Sequence, residues 1–147
     1  MDTAIHNSKS RGQAGSVLLE ALIAILIFSM GILAIVGMQS TAVKAAADAK
    51  YRSNASLLAT ELIGQMWVSD RTGATLQARY QGGSGTDGAG YTTWLANVIA
   101  TLPGVTATVN QPTVAINAAT GMVTIRVSWK LPSEPAAHSY AVVAQIK

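Results

Sequence analysis

Between Gly15 and Met38 the chain reads GSVLLEALIAILIFSMGILAIVGM, apolar almost throughout, with one carboxylate, Glu20, near its start. No other stretch limits the fold so strongly. From Ala21 to Met38 there are 18 residues without a charge. At ~1.5 Å of rise per residue they make a rod of ~27 Å, close to the hydrocarbon thickness of a bilayer. Ten of them are Leu, Ile, Phe or Val, and at ~0.3–0.6 kcal/mol each these favour insertion by ~3–6 kcal/mol. Gly31 and Gly37 weaken a helix in water. Lipid offers the backbone no other hydrogen-bond partner, so a helix is still expected across them.

The flanks orient this span. Residues 1–14 (MDTAIHNSKSRGQA) are polar and carry Lys9 and Arg11, whereas the next basic residue is Lys44. The N-terminal side should stay cytoplasmic while the bulk of the chain crosses. A cleaved secretory signal is the plain alternative, but the apolar run exceeds the ~7–15 residues of such a core. Glu20 can sit cheaply at the membrane edge. Buried among protein helices it would need a positive partner, because an unpaired buried charge is costly.

Beyond the span, QSTAVKAAADAKYRSNASLLATELIGQMWVS is rich in good helix formers and free of proline. Apolar residues recur at Tyr51, Ala55, Leu58, Leu62 and Met66, which makes one stripe on an amphipathic helix. Lys44 and Asp48 stand i,i+4 and could pair on its surface. A single helix is therefore expected from about residue 17 to about 69. Ser29, Gly31 and Gly37 are its weak points, where it could bend.

Arg71 to Gly90 contains six Gly and reads as a surface loop. It lacks the preceding strand and the Gly-Lys-Ser/Thr of a phosphate cradle. YTTWLANVIATL (Tyr91–Leu102) has Trp94, Leu95, Val98, Ile99 and Leu102 at helical spacing. Thr92 or Thr93 could cap it, and Pro103-Gly104 stops it. Trp94 reads as a core residue. The period then changes. VTATV (Val105–Val109) alternates, TVAI follows Pro112, and NAATG (Asn117–Gly121) is a hairpin loop. MVTIRVSWK puts Val123, Ile125, Val127 and Trp129 on one face. LPSEP turns the chain, and SYAVVAQI makes a last strand. The fold class is α+β: a long N-terminal helix, half transmembrane and half amphipathic, packed on a small antiparallel sheet of three or four strands.

Composition removes several functions. Charged residues are only 12%, against roughly 25% in ordinary soluble domains. The net charge of +3 comes without any run of five or six like charges, so nucleic acid is not an expected partner. Arg71, Arg79, Arg126 and Lys130 are the only candidates for a basic patch. There is no Cys, hence no disulfide or thiolate metal site. The residues from 131 to 147 must be held by pairing and packing alone, and mobile structure is expected there. His138, near a strand, reads as a surface or packing residue. The acids are scattered and no nucleophile or phosphate motif occurs, so no enzyme, catalytic residue, metal or cofactor is expected.

Gly15-Ser16-Val17-Leu18-Leu19-Glu20, after a basic leader and before an apolar helix, resembles the class III signal of type IV pilins. AVKAAADAKYRSNASLLATELIGQMW resembles the region after the span in minor pilins of the PilV type, the type IV pilus modification proteins. The resemblance covers roughly residues 15–67. It implies that prepilin peptidase removes residues 1–15 by cutting between Gly15 and Ser16, and that Ser16 is then N-methylated. This family more often has Phe where Ser16 stands, a departure that touches neither Gly15 nor Glu20. Glu20 is the fifth residue counted from Ser16, where the family keeps a Glu. Its carboxylate would pair with the Ser16 amine of a neighbouring subunit. Residues 16–43 would form the transmembrane and filament-core helix, and 44–147 the amphipathic helix and headpiece.

The implied protein is a structural subunit that supports pilus assembly or initiation, and hence adhesion and twitching motility. Its partners would be other minor pilins, the major pilin, prepilin peptidase, the inner-membrane assembly platform and, before assembly, membrane lipid. It would sit once across the inner membrane, N-terminus cytoplasmic and headpiece periplasmic, and later at the pilus and cell surface. A minor pseudopilin of type II secretion shares the leader and helix and is the alternative in the same class. A membrane-anchored or pilus-tip module binding DNA or a surface ligand is the alternative in another.

Overall fold

The computed structural model describes residues 13–132 and 134–147. The element order is α1 (Gln13–Val68), α2 (Gly73–Tyr80), α3 (Ala89–Thr101), β1 (Thr113–Asn117), β2 (Met122–Trp129) and β3 (His138–Gln145). The chain divides into two compact units, Met1–Ala45 and Ala46–Lys147. The class is the expected α+β, pilin-like one: a long apolar N-terminal helix followed by a small antiparallel sheet.

In the first unit, α1 runs unbroken through Ser29, Gly31 and Gly37, so none of the three interrupts it. Every described residue from Gly15 to Ala45 is exposed. The few hydroxyls are satisfied within the helix itself. Ser29 Oγ donates to the Ile25 carbonyl at 2.7 Å, and Thr41 Oγ1 to the Gly37 carbonyl at 3.2 Å. A hydroxyl bonded back to its own helix needs no water, so this surface suits lipid or apolar protein. The helix is long and apolar enough to cross a membrane.

In the second unit, the stripe on α1 faces the core as its spacing requires. Ala55, Leu58, Leu62 and Met66 are buried, and Tyr51 packs against them. The sheet order is β1-β2-β3, antiparallel throughout, with Val114 opposite Ile125 and Ile125 opposite Val142. Along β2, Val123, Ile125, Val127 and Trp129 are buried while Met122, Thr124 and Arg126 are exposed. Alternation of period two puts one face in the core and leaves the other to solvent. From α3, Tyr91, Trp94, Leu95 and Val98 complete the core.

Three local expectations need correction. The segment read as a loop from Arg71 to Gly90 begins with the helix α2. Leu76 and Tyr80 are both buried and stand one turn apart, which anchors the helix in the core despite its glycine-rich sequel. Thr92 and Thr93 do not cap α3. Gly88 is its N-cap, and both threonines donate back to the carbonyls four residues earlier. Val105–Val109 is not a strand. Thr106 Oγ1 accepts from the backbone N–H of Thr108 and of Val109, which turns the chain instead of extending it. Asn110 then takes a left-handed conformation, φ 51°.

The C-terminal segment is held along its whole strand. All eight residues of β3 pair with β2, Ile146 is buried, and Arg71 Nη1 donates to the Lys147 carbonyl at 2.9 Å. Pairing and packing do the holding here without a crosslink.

Candidate functional site

The residues singled out for processing and assembly stand at the start of α1. Gly15 and Ser16 lie in its first turn, and Glu20 follows Ser16 by one turn on the same face. Most of the leader, residues 1–12, lies outside the described residues. Ser16, Leu19, Glu20 and Ile23 share a shallow depression on this face, in which Glu20 is the one charged side chain. No Lys, Arg or His occurs between Arg11 and Lys44, so α1 itself supplies no cation to Glu20 through the apolar stretch. A cation for Glu20 inside an apolar environment has to come from outside residues 12–43.

The headpiece holds one cluster that sequence reasoning missed. His138, at the start of β3, lies with Nδ1 3.3 Å from Asp48 Oδ1 of α1, and its Nε2 contacts Glu134 Oε2. The imidazole stacks on Trp129, with centroids 5.7 Å apart and planes at 17°. Lys44 stands one turn before Asp48 on α1, but the contact that Asp48 makes within its own unit is with His138. The hydrogen bond to Glu134 holds the His138 pKa above its ordinary value, and the charges of Glu134 and Asp48 push the same way. Partial burial and Arg52 oppose them. The two ring nitrogens face different carboxylates, so the three groups converge on no common point. Among the described residues no group of His, Asp and Glu is placed to hold a metal ion. The Glu134–His138 spacing of four was visible in the sequence, but Asp48 is brought there only by the packing of α1 on the sheet.

The four basic candidates are divided among separate elements. Arg71 lies over the Trp67 ring at 5.8 Å, and Arg79 over Tyr80 at 5.6 Å. Arg126 is on the exposed face of β2, and the Lys130 backbone N–H donates to the Pro103 carbonyl. The glycine-rich loop turns its donors inward. Asp87 Oδ1 accepts from the Gly83 N–H at 2.8 Å, and the Gln81 carbonyl from the Gly88 N–H at 2.9 Å. A carboxylate occupying the loop's amides repels a phosphate from them.

Compared with known protein families, curated proteins and solved structures, the chain matches none.

Proposed function

We propose that this chain is a minor pilin, a subunit that enters a type IV pilus through its N-terminal helix and supports assembly of the filament. One observation carries the reading. A helix whose residues from Gly15 to Ala45 are all exposed bears a single carboxylate, Glu20, at its start. Such a surface requires an apolar environment, and the charge requires a partner within it. Lipid meets the first requirement alone. A filament core of like helices meets both, if each new amine at Ser16 faces the Glu20 of a neighbour.

On this reading the leader is removed at Gly15–Ser16 and Ser16 is methylated. Before assembly the helix crosses the inner membrane, and the headpiece stands in the periplasm. The assembly platform, the major pilin and other minor pilins are then its partners, and adhesion and twitching motility depend on it indirectly. The headpiece contributes surface and no chemistry.

Glu20→Ala tests the assembly step. The variant should insert and accumulate in the membrane as the parent does, while filament number, counted by electron microscopy of sheared pili, falls severalfold. Normal piliation by the variant in a strain lacking the parent would remove Glu20 from the account.

A further inference from the structure

The chain enters the headpiece at one end, and that end has a composition of its own. Asp48 is the tenth residue after Met38, the last of the uncharged run. Along a helix that is ~15 Å of rise. The polar headgroup layer outside the hydrocarbon is itself ~5–8 Å deep. Whatever angle the headpiece takes, the chain tethers the groups around Asp48 close to that layer.

His138 meets Asp48 there and stacks on Trp129, the last residue of β2. Lys130 follows directly, and borders a shallow hollow with Val109 and Pro132. Val109 is 54% exposed, an apolar side chain turned to the outside. Arg52 stands one turn beyond Asp48 on α1, and Lys50 lies between them in sequence. Lys50, Arg52 and Lys130 are all exposed, and among the described residues none of them forms an ion pair. The acids of this end are different, because both Asp48 and Glu134 meet His138. With the imidazole protonated, four positive groups stand against two negative ones. Exposed cations beside an exposed apolar side chain suit the surface of an anionic bilayer.

We propose that this end of the headpiece rests on the phosphates of anionic phospholipids while the chain is held in the membrane. Lys50, Arg52 and Lys130 supply the charge contacts and Val109 an apolar one. His138 keeps Asp48 and Glu134 from repelling the surface. The proposal rests on the membrane-spanning part of the reading above, not on the filament. Lipid is the occupant because a spanning helix brings a bilayer to this end before any other molecule. The cations also come from separate elements and converge on no point, which suits a plane of phosphates and not a single soluble anion. The charged groups that face His138 are Glu134 of the β2–β3 connection and Asp48 and Arg52 of α1, while β2 adds the neutral Trp129 ring. Loss of the imidazole proton removes one positive charge. Docking therefore weakens as pH rises through the raised pKa of His138, whereas a lipid phosphodiester keeps its charge.

The chain has no cysteine, so an introduced thiol takes a label at one place. Ala107 is exposed, two residues before Val109. Full-length A107C carrying a fluorophore is reconstituted in phosphatidylcholine vesicles with and without phosphatidylglycerol, each holding lipid with a nitroxide on its headgroup. Quenching should be stronger with phosphatidylglycerol and should fall as salt is added. The same label at A118C, beyond the other end of β2, should show little quenching in either. K130A, at an exposed position, should lower the ratio of docked to free headpiece about fivefold. H138A leaves both carboxylates uncompensated, and should weaken docking and remove its dependence on pH. Equal quenching in the two lipid mixtures, by a chain that stays in the vesicles, overturns the docking and leaves the span standing. Quenching that depends on phosphatidylglycerol but survives both K130A and H138A also overturns it, because another surface then makes the contact. A chain that alkaline carbonate strips from the vesicles overturns the span and the docking together.

Discussion

The Trp94 indole is 1% exposed, and its Nε1 donates to the Leu58 carbonyl at 2.9 Å, so one side chain ties α3 to α1. Trp94→Ala removes a large buried ring and a hydrogen bond together. It should destabilise the headpiece by about 3–5 kcal/mol in denaturant unfolding followed by circular dichroism. His138 makes a different prediction. Folding raises its pKa through Glu134 and Asp48, with Arg52 opposing. The native state therefore binds the proton more tightly than the unfolded chain. That stabilisation is complete below the ordinary value of about 6.5 and fades as pH rises through the raised native value. The thermal midpoint should fall from pH 6 to pH 8.5, and His138→Gln should lower it at pH 6 and flatten that slope. The place of Trp94 was legible from helical spacing, because it falls in register with Leu95 and Val98. The Asp48 partner of His138 was not, because Asp48 is 90 residues away in sequence and only tertiary packing joins them.

At the scale of elements, periodicity that spans several turns or pairs was readable, and short segments settled by one hydroxyl or one glycine were not. The α1 stripe and the alternation of β2 repeat often enough to outweigh local preferences. By contrast, alternation in Val105–Val109 loses to the Thr106 hydroxyl, which captures two backbone N–H groups. The α2 helix was hidden because glycines at 82, 83, 85, 88 and 90 dominate the composition around it. The β1–β2 hairpin closes through Gly121, whose φ is 69° and whose added Cβ would meet the Ile146 carbonyl oxygen at 2.2 Å. A side chain there must both strain the backbone and displace the end of β3. Gly121→Val should cost at least about 1–3 kcal/mol and, in hydrogen exchange, deprotect the amides of Val142 and Ala144 before those of α3.

At the scale of the whole molecule, the two units ask for different surroundings. The headpiece buries Trp94, Trp129, Leu62 and Met66 in a core of its own. The first unit buries none of its described side chains from Gly15 to Ala45. Such an uncovered apolar rod asks for an apolar environment, whether lipid or protein. The filament reading turns on what happens at Gly15–Ser16, since only a cut there frees an amine one turn from Glu20. Intact mass spectrometry of the protein from its native host decides this. The account predicts a mass lowered by residues 1–15 and raised by one methyl group. An unprocessed mass, or a cut beyond residue 38, would contradict it.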